Sequence, residues 1–577
     1  MTRDERERLA GPARFDDLAL RAALAVPWLF IWQGLDFTDQ GYLLTTYRCF
    51  FRHPEATEDS APTWLTNLVG AIWDAIFGSL GVVGMRALWA LCMSLGMVLA
   101  VRLLRATIGG RVFGLAALPA SVFLSDRRET WFSYNTSSSL VFAAAAVCLV
   151  LGIEQRKKNW LFSAGVLIGV APFARFPNLL AAALVATIGF AALIDPERRR
   201  TLLRDLGLTC AGIVAGVCGT LALIQVLGHA RLFYAGIAGL FLPSVQSAGY
   251  SFSDLFSTFV REQTLALEWG AAVCASGWLL SQALGRVPVA VGWLLACATA
   301  GLAAYGLSLG DEPWRFVVTG TSYWVLAAIA LGLWKRRVEL RVAAFAVLTV
   351  VVIAPLGSNN GIKNAHMGLW LALPLIVATL LSLDATLLKG QALKLALIVG
   401  LTLTGEGLSR AASYTYRDSL RSTLLTPVQR PQLRAQFTSP ERAQVVAEVL
   451  DALRQRVSPG DYLLAYEGTP LLQYLTKTTP YLNRAWVMGY ESGDVIAKLA
   501  AEAPRRTGCL PVVVVSSKTT RSFDWPRHSK RLEERQPQRG TRKVLKAFLR
   551  AHDYQRTWTN GFFEILETPS AHGAHCR

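Results

Sequence analysis

Long apolar runs separated by short charged clusters recur along the chain from Leu18 to about Leu408. A helix needs about 20 apolar residues to cross a hydrocarbon core of about 30 Å. Inside that core each backbone N–H and C=O has to be satisfied within the segment, which leaves a helix as the fold for runs of this length. The pattern therefore predicts a polytopic all-α membrane protein. Spans are expected near 18–35, 82–104, 112–125, 137–153, 160–176, 178–194, 205–227, 268–285, 287–308, 316–334, 341–357, 367–384 and 391–408, about thirteen in number.

Composition agrees with this reading. Of 577 residues, 53% are hydrophobic, and the mean hydropathy is +0.35. The formal charge of +18 could suggest nucleic acid. Here the cations instead punctuate the apolar runs, as they do on the cytoplasmic side of membrane helices. With the N-terminus inside, the inner loops carry Arg102/Arg105/Arg111, Arg156-Lys157-Lys158, Arg198-Arg199-Arg200, Arg286, Lys335-Arg336-Arg337 and Lys389/Lys394. Every one is basic, and an odd span count puts the C-terminus outside. Gly34-Leu35-Asp36 is a poor cleavage site, so the first run reads as an uncleaved helix. Cys92, Cys148, Cys210, Cys218, Cys274 and Cys297 lie in apolar runs and read as small buried hydrophobes. Cys49, Cys509 and Cys576 lie outside them, with room for one disulfide. No Cys/His spacing suggests zinc.

Three outer segments are long: 36–81, 228–267 and the tail after 409. The first holds an interfacial helix from Pro62-Thr63-Trp64-Leu65 onward, with Trp73 and Phe77 on its apolar stripe. The tail, 409–577, changes composition and alternates elements. A helix runs from Ser439 to Val457, a strand from Asp461 to Tyr466, a short helix from Pro470 to Leu475 and a helix from Asp494 to Ala503. A strand Pro511–Ser516, a helix Arg542–Ala551 and a strand near Phe562–Leu566 complete it. That order predicts a small extracytoplasmic α/β domain. It lacks a glycine-rich nucleotide fingerprint, so it reads as a lid or acceptor platform. Arg521–Arg542 reads as a solvated loop.

The sharpest local feature is Gly34-Leu35-Asp36-Phe37-Thr38-Asp39-Gln40-Gly41-Tyr42, at the outer surface just past the first span. If the segment turns helically, Asp36, Asp39 and Tyr42 share a face. On position alone the acids end the span and cap the next helix, and Tyr42 is an interface anchor. Cations on the outer side break the inside trend: Arg127 and Arg128, Arg175, Arg231, Arg261, Arg315, and Lys363 with His366. Arg127/Arg128 and Arg315 have acids beside them in sequence. Lys363 and His366 do not, and their amide-rich loop Gly357–His366 is the best phosphate-binding candidate. One carboxylate to take a hydroxyl proton, with cations for a departing phosphate, would suffice for sugar transfer from a phosphate-linked lipid.

At these residues the chain resembles the GT-C superfamily of membrane glycosyltransferases, which includes protein O-mannosyltransferases and the enzyme that adds aminoarabinose to lipid A. Asp39-Gln40-Gly41-Tyr42 is similar to the family's acidic pair and Tyr, with Gln40 in place of the second acid. Ala61-Pro62-Thr63-Trp64-Leu65, with Arg86 farther on, looks like its proline stretch and amphipathic helix. Arg175-Phe176-Pro177 is similar to its Arg-x-Pro. Gly468-Thr469-Pro470-Leu471-Leu472-Gln473-Tyr474-Leu475, before Pro480, looks like part of its soluble domain. Asn135 stands where relatives often have an acid. The resemblance implies a polyprenyl-phosphate sugar donor and a glycan, lipid or protein acceptor. It implies inverting transfer on the outer face of a bacterial inner (plasma) membrane. Asp39 would be the base, Asp36 the second acid if one is needed, and Tyr42, Gln40, Arg127, Arg128, Asn135, Arg175, Lys363 and His366 the substrate-binding set. No metal is predicted. The competing reading is a transporter or lipid-linked-glycan flippase, which Pro355 and Pro374 within spans keep open.

Overall fold

The computed structural model describes residues 3–108, 113–125, 129–241, 251–308, 313–333, 337–382, 391–413, 415–466, 468–487, 493–528, 539–569 and 576, with side chains from Arg14 onward except that of Arg539. The chain is mostly helical, and every expected span meets a helix. Seven helical segments among the described residues are long and apolar enough to cross a membrane: 54–107, 134–155, 176–194, 196–226, 289–308, 361–381 and 392–413.

Two expectations shift. The first helix spans Arg3–Ala25, followed by a tight turn Val26–Phe30, rather than 18–35. Its Asp16 is buried and accepts the N–H groups of Gly114 and Leu115 at 2.8 and 3.1 Å. That carboxylate satisfies the orphan donors of the neighbouring helix Phe113–Leu124, so the charged stretch extends the helix instead of ending it. The segment 228–267 is also no loop. Helices Ala230–Gly239 and Phe252–Leu284 occupy most of it, and the expected span 268–285 is only the second half of the latter.

Small residues set the closest crossings. Gly165 and Gly169 of helix Lys158–Ala174 face Gly212 and Gly216 of helix Arg199–Val226. A Cβ at any of the four would strike the opposing backbone. Such four-residue spacing lets two membrane helices touch main chain to main chain, where lipid offers no hydrophobic drive to associate. Helix surfaces facing outward remain apolar, including Leu279, Leu294 and Leu302. Cys210, Cys218 and Cys297 share that outward position and are exposed, not buried in protein as their apolar runs suggested.

The tail forms a five-stranded mixed sheet. Strands β1 (Thr426–Pro427) and β2 (Phe437–Thr438) pair separately, ahead of β3 (Tyr462–Tyr466), β4 (Thr479–Pro480), β5 (Val512–Ser516), β6 (Gln555–Thr559) and β7 (Phe563–Glu567). The sheet order is β4-β3-β5-β7-β6. β3 runs parallel to β4 and β5, and β7 antiparallel to β5 and β6. Alternation along β3 divides the sheet's two faces. Leu463 and Ala465 join one continuous core with Phe37, Leu44, Val446 and the membrane helices. Leu464 and Tyr466 join a second core with Ile496, Leu545 and Phe548. Cys509 and Cys576 form a disulfide.

The tail is fastened to residues 32–41 by main chain. Gly34 N–H donates to Phe437 O at 2.9 Å, and Phe437 N–H to Trp32 O at 2.8 Å. Gly41 lies so close to Leu471 that a Cβ there would collide with its backbone. Leu471 N–H donates to Phe37 O at 3.2 Å.

Candidate functional site

The segment after the first span turns sharply at Gly34, whose φ of +88° suits glycine. Arg86 is 1% exposed and sits beneath that turn. Its guanidinium donates to Gln33 O at 2.7 Å, Gly34 O at 2.9 Å and Gln40 Oε1 at 3.0 Å. Gln40 is thus buried as part of the turn's support, with Nε2 left without a partner.

Asp36 is fully buried. Its carboxylate accepts the Thr38 N–H at 3.0 Å, the Thr38 hydroxyl at 2.7 Å and the Gln40 N–H at 2.8 Å. It thereby starts the helix Asp39–Cys49. This is the capping role that position alone suggested. Because the helix begins at Asp39, Asp39 and Tyr42 share its face, and Asp36 lies before it.

Asp39 differs. Its side chain is 33% exposed. One oxygen, Oδ2, accepts the Tyr416 hydroxyl at 2.5 Å and faces Arg417 Nη2 at 2.8 Å. Oδ1 has no hydrogen-bond partner among the described residues. Arg417 also contacts the Thr38 hydroxyl, lies 3.7 Å from Asp36 and stacks at 4.8 Å on the Tyr416 ring. Burial pushes the Asp39 carboxyl above its ordinary value. Arg417 pulls it back down, the Asp36 charge adds to the rise, and the Tyr416 hydroxyl and Arg521 oppose it. Tyr416 meets Trp131 edge-on at 5.1 Å.

Tyr42 donates its hydroxyl to Asp59 at 3.2 Å and lies 5.9 Å from the Trp486 ring. Burial first, and Asp59 next, hold that phenol well above its ordinary value, so it remains a donor. Arg521 covers the other aromatic partner, with its guanidinium 4.8 Å from the Trp486 ring. Arg484 pairs with Glu58 at 3.1 Å beside Asp59. Asn135 is buried and donates to Glu129 at 3.0 Å. Arg175 is buried with its guanidinium 6.0 Å from the Tyr134 ring. Arg127 and Arg128 lie outside the described residues.

The loop holding Lys363 and His366 meets an acid from elsewhere in the chain. Glu262, from helix Phe252–Leu284, accepts the Ile362 N–H at 2.6 Å. The sequence hid it because it is 100 residues away. His366 Nδ1 is 2.7 Å from Lys363 O.

Sequence reasoning missed Tyr416, Arg417, Trp486 and Arg521, all from the tail. Tyr414-Thr415-Tyr416-Arg417, directly after the last apolar run, was the available signal. No group of three or more His, Cys, Asp or Glu side chains able to hold a metal ion is present among the described residues.

Two solved structures match the chain at low identity. ArnT from Cupriavidus metallidurans, in a crystal structure bound to undecaprenyl phosphate, shares 14% identity at a TM-score of 0.42, covering 96% of this chain and 98% of that one. The oligosaccharyltransferase of Archaeoglobus fulgidus, tethered with an acceptor peptide containing the NVT sequon, shares 12% identity at 0.46, covering 88% and 69%. No curated protein matches in sequence. Residues 61–224 match the family model of dolichyl-phosphate-mannose-protein mannosyltransferase, which bears out the resemblance to the GT-C membrane glycosyltransferases.

Proposed function

We propose that this chain transfers a sugar from a polyprenyl-phosphate carrier to an acceptor hydroxyl at the extracytoplasmic face of a bacterial inner membrane, with Asp39 as the general base. The observation that carries the reading is the asymmetry of the Asp39 carboxylate. Oδ2 is held by Tyr416 and Arg417, while Oδ1, with no hydrogen-bond partner among the described residues, is left to receive a proton. A base works best when its affinity for protons approaches the operating range, and burial moves Asp39 in that direction. The matched family acts, by its description, with dolichyl-phosphate mannose, a sugar on a polyprenyl phosphate.

In the step proposed, the acceptor oxygen attacks the anomeric carbon opposite the carrier phosphate and inverts it. Asp39 takes the hydroxyl proton. The bond from that carbon to the phosphate oxygen breaks, and the phosphate leaves as a weak base that needs cations rather than an acid. Arg521, Arg175, Lys363 and His366 would supply charge from the described residues, and Arg127 and Arg128 complete the proposed set. Tyr42 and Asn135 would orient the sugar and acceptor. Asp36 and Gln40 would position Asp39 through the turn.

The same reading assigns residues 1–408 to the membrane body and 409–577 to an outer domain, with the N-terminus cytoplasmic. The basic inner loops support this, as does the Cys509–Cys576 disulfide, since such bonds persist in oxidising compartments. The test is turnover of a polyprenyl-phosphate sugar by purified protein. Release of free carrier phosphate coupled to a glycosylated acceptor is expected. Binding of the lipid-linked sugar followed only by its movement across vesicles would replace the enzyme with a flippase.

A further inference from the structure

Two helices, Gly493–Thr507 and Arg539–Ala551, cover the sheet face that points away from the core shared with the membrane helices. Their apolar side is used up: Ile496, Ala500, Leu545 and Phe548 are buried against Leu464, Tyr466 and Val513. Neither helix therefore has a free apolar face to lay into a bilayer, as an interfacial helix must. The opposite side is cationic. Lys543, Lys546 and Arg550 follow at spacings of three and four residues, which aligns them as one exposed stripe. Lys498 and Arg505 are exposed on the neighbouring helix. The acids on the two helices are Asp494 and Glu502, and Glu502 lies 4.0 Å from Lys498. After Ser409 the sequence holds 26 Lys and Arg against 15 Asp and Glu. The retention of cations near inner membrane loops does not explain that surplus in an outer domain.

We propose that this basic face docks an anionic envelope polysaccharide, one bearing phosphate or carboxylate groups, and so concentrates a polyanionic acceptor beside the enzyme. Charge complementarity carries the choice of partner, and the orientation away from the membrane helices favours a polymer over the protein's own bilayer. The inference rests on the outer placement of the tail and names the acceptor class for the transferase reading. The test is binding by full-length protein in detergent, with dextran sulfate as probe, neutral dextran as control, and vesicles containing anionic lipid as the competing surface. A triple variant, Lys543→Gln, Lys546→Gln and Arg550→Gln, should weaken dextran sulfate binding by about 100-fold, at roughly fivefold per cation. Added salt should weaken the native protein more than the variant. The substitutions are exposed, and Lys543→Arg with Lys546→Arg and Arg550→Lys should restore binding if charge is the cause. Unchanged binding in the triple variant, equal binding of neutral dextran, or a preference for anionic vesicles would each overturn the proposal. Asp39→Asn should leave this binding intact while lowering transfer by about 10²- to 10⁴-fold, which separates the failure of one reading from that of the other.

Discussion

Two acid–arginine pairs lie where the tail meets residues 34–42, one crossing between them and the other within the tail, and adjacent tail residues contribute to both. Arg417 faces Asp39 at 2.8 Å, and Asp418 faces Arg442 at 2.9 Å. The second pair is fully buried on both sides. Asp418 also accepts the Leu35 N–H and the Thr438 hydroxyl, each at 2.7 Å. Arg442 donates to Trp525 O at 2.8 and 2.9 Å, Arg417 O at 2.8 Å and Leu35 O at 3.1 Å. Nearly every polar atom in that pair is satisfied by protein, so it works as a rivet. The Asp39 pair keeps one carboxylate oxygen unused and a third of the side chain open. The lesson is that pairing an acid with arginine says little until its spare hydrogen-bonding capacity is counted. Burial with full satisfaction fixes a structure, whereas partial exposure with a spare acceptor leaves chemistry to do.

The contrast can be broken in four ways, from the largest effect to the smallest. Asp39→Asn should lower sugar transfer by about 10²- to 10⁴-fold, with the thermal unfolding temperature unchanged. Near-normal turnover would remove Asp39 from the base role. Arg442→Met should cost about 3–5 kcal/mol, because it strands a buried carboxylate. A thermal melt or limited proteolysis of the tail reads this, and a cost near zero would mean the pair is no rivet.

Arg417→Gln should act on pH dependence more than on folding. Asp39 must be ionised to accept a proton, so activity falls as pH drops through its titration. Arg417 holds that titration down, and its loss should move the acid limb of kcat/KM upward by about one unit or more. A downward move would show that Arg417 does not act through Asp39. Tyr416→Phe removes a weaker influence of the same sign. Its acid limb should rise by less than about one unit, in line with the roughly 1 kcal/mol of a typical hydrogen bond.

Most of the architecture was legible because hydropathy reports local facts. Apolar runs located the helices, and the alternation of strand and helix signals located the tail's layers. The helix Phe252–Leu284 was half missed because its first half carries Arg261 and Glu262 and lies in a polar stretch that hydropathy reads as loop. Strand β6 was missed although Asn560-Gly561, with Gly561 at a φ of +79°, is a strong hairpin signal. The site was legible only on its near side. Asp39 and Tyr42 stood out beside the first span, but Tyr416 reaches Asp39 across 377 residues. Periodicity carries no information about such a contact. Likewise, Arg86 hid its role because most of its partners are the main-chain oxygens of a turn.

Positions 417 and 418 are consecutive, so one short strip of backbone carries both the cation at Asp39 and the acid of the buried rivet. Loosening the rivet must also shift the guanidinium at Asp39. A copy whose tail has not yet seated is therefore a copy in which Asp39 lacks Arg417 beside it, and assembly and readiness would arrive together. In the transfer proposed, this coupling would keep half-built molecules from losing the lipid-borne sugar to water.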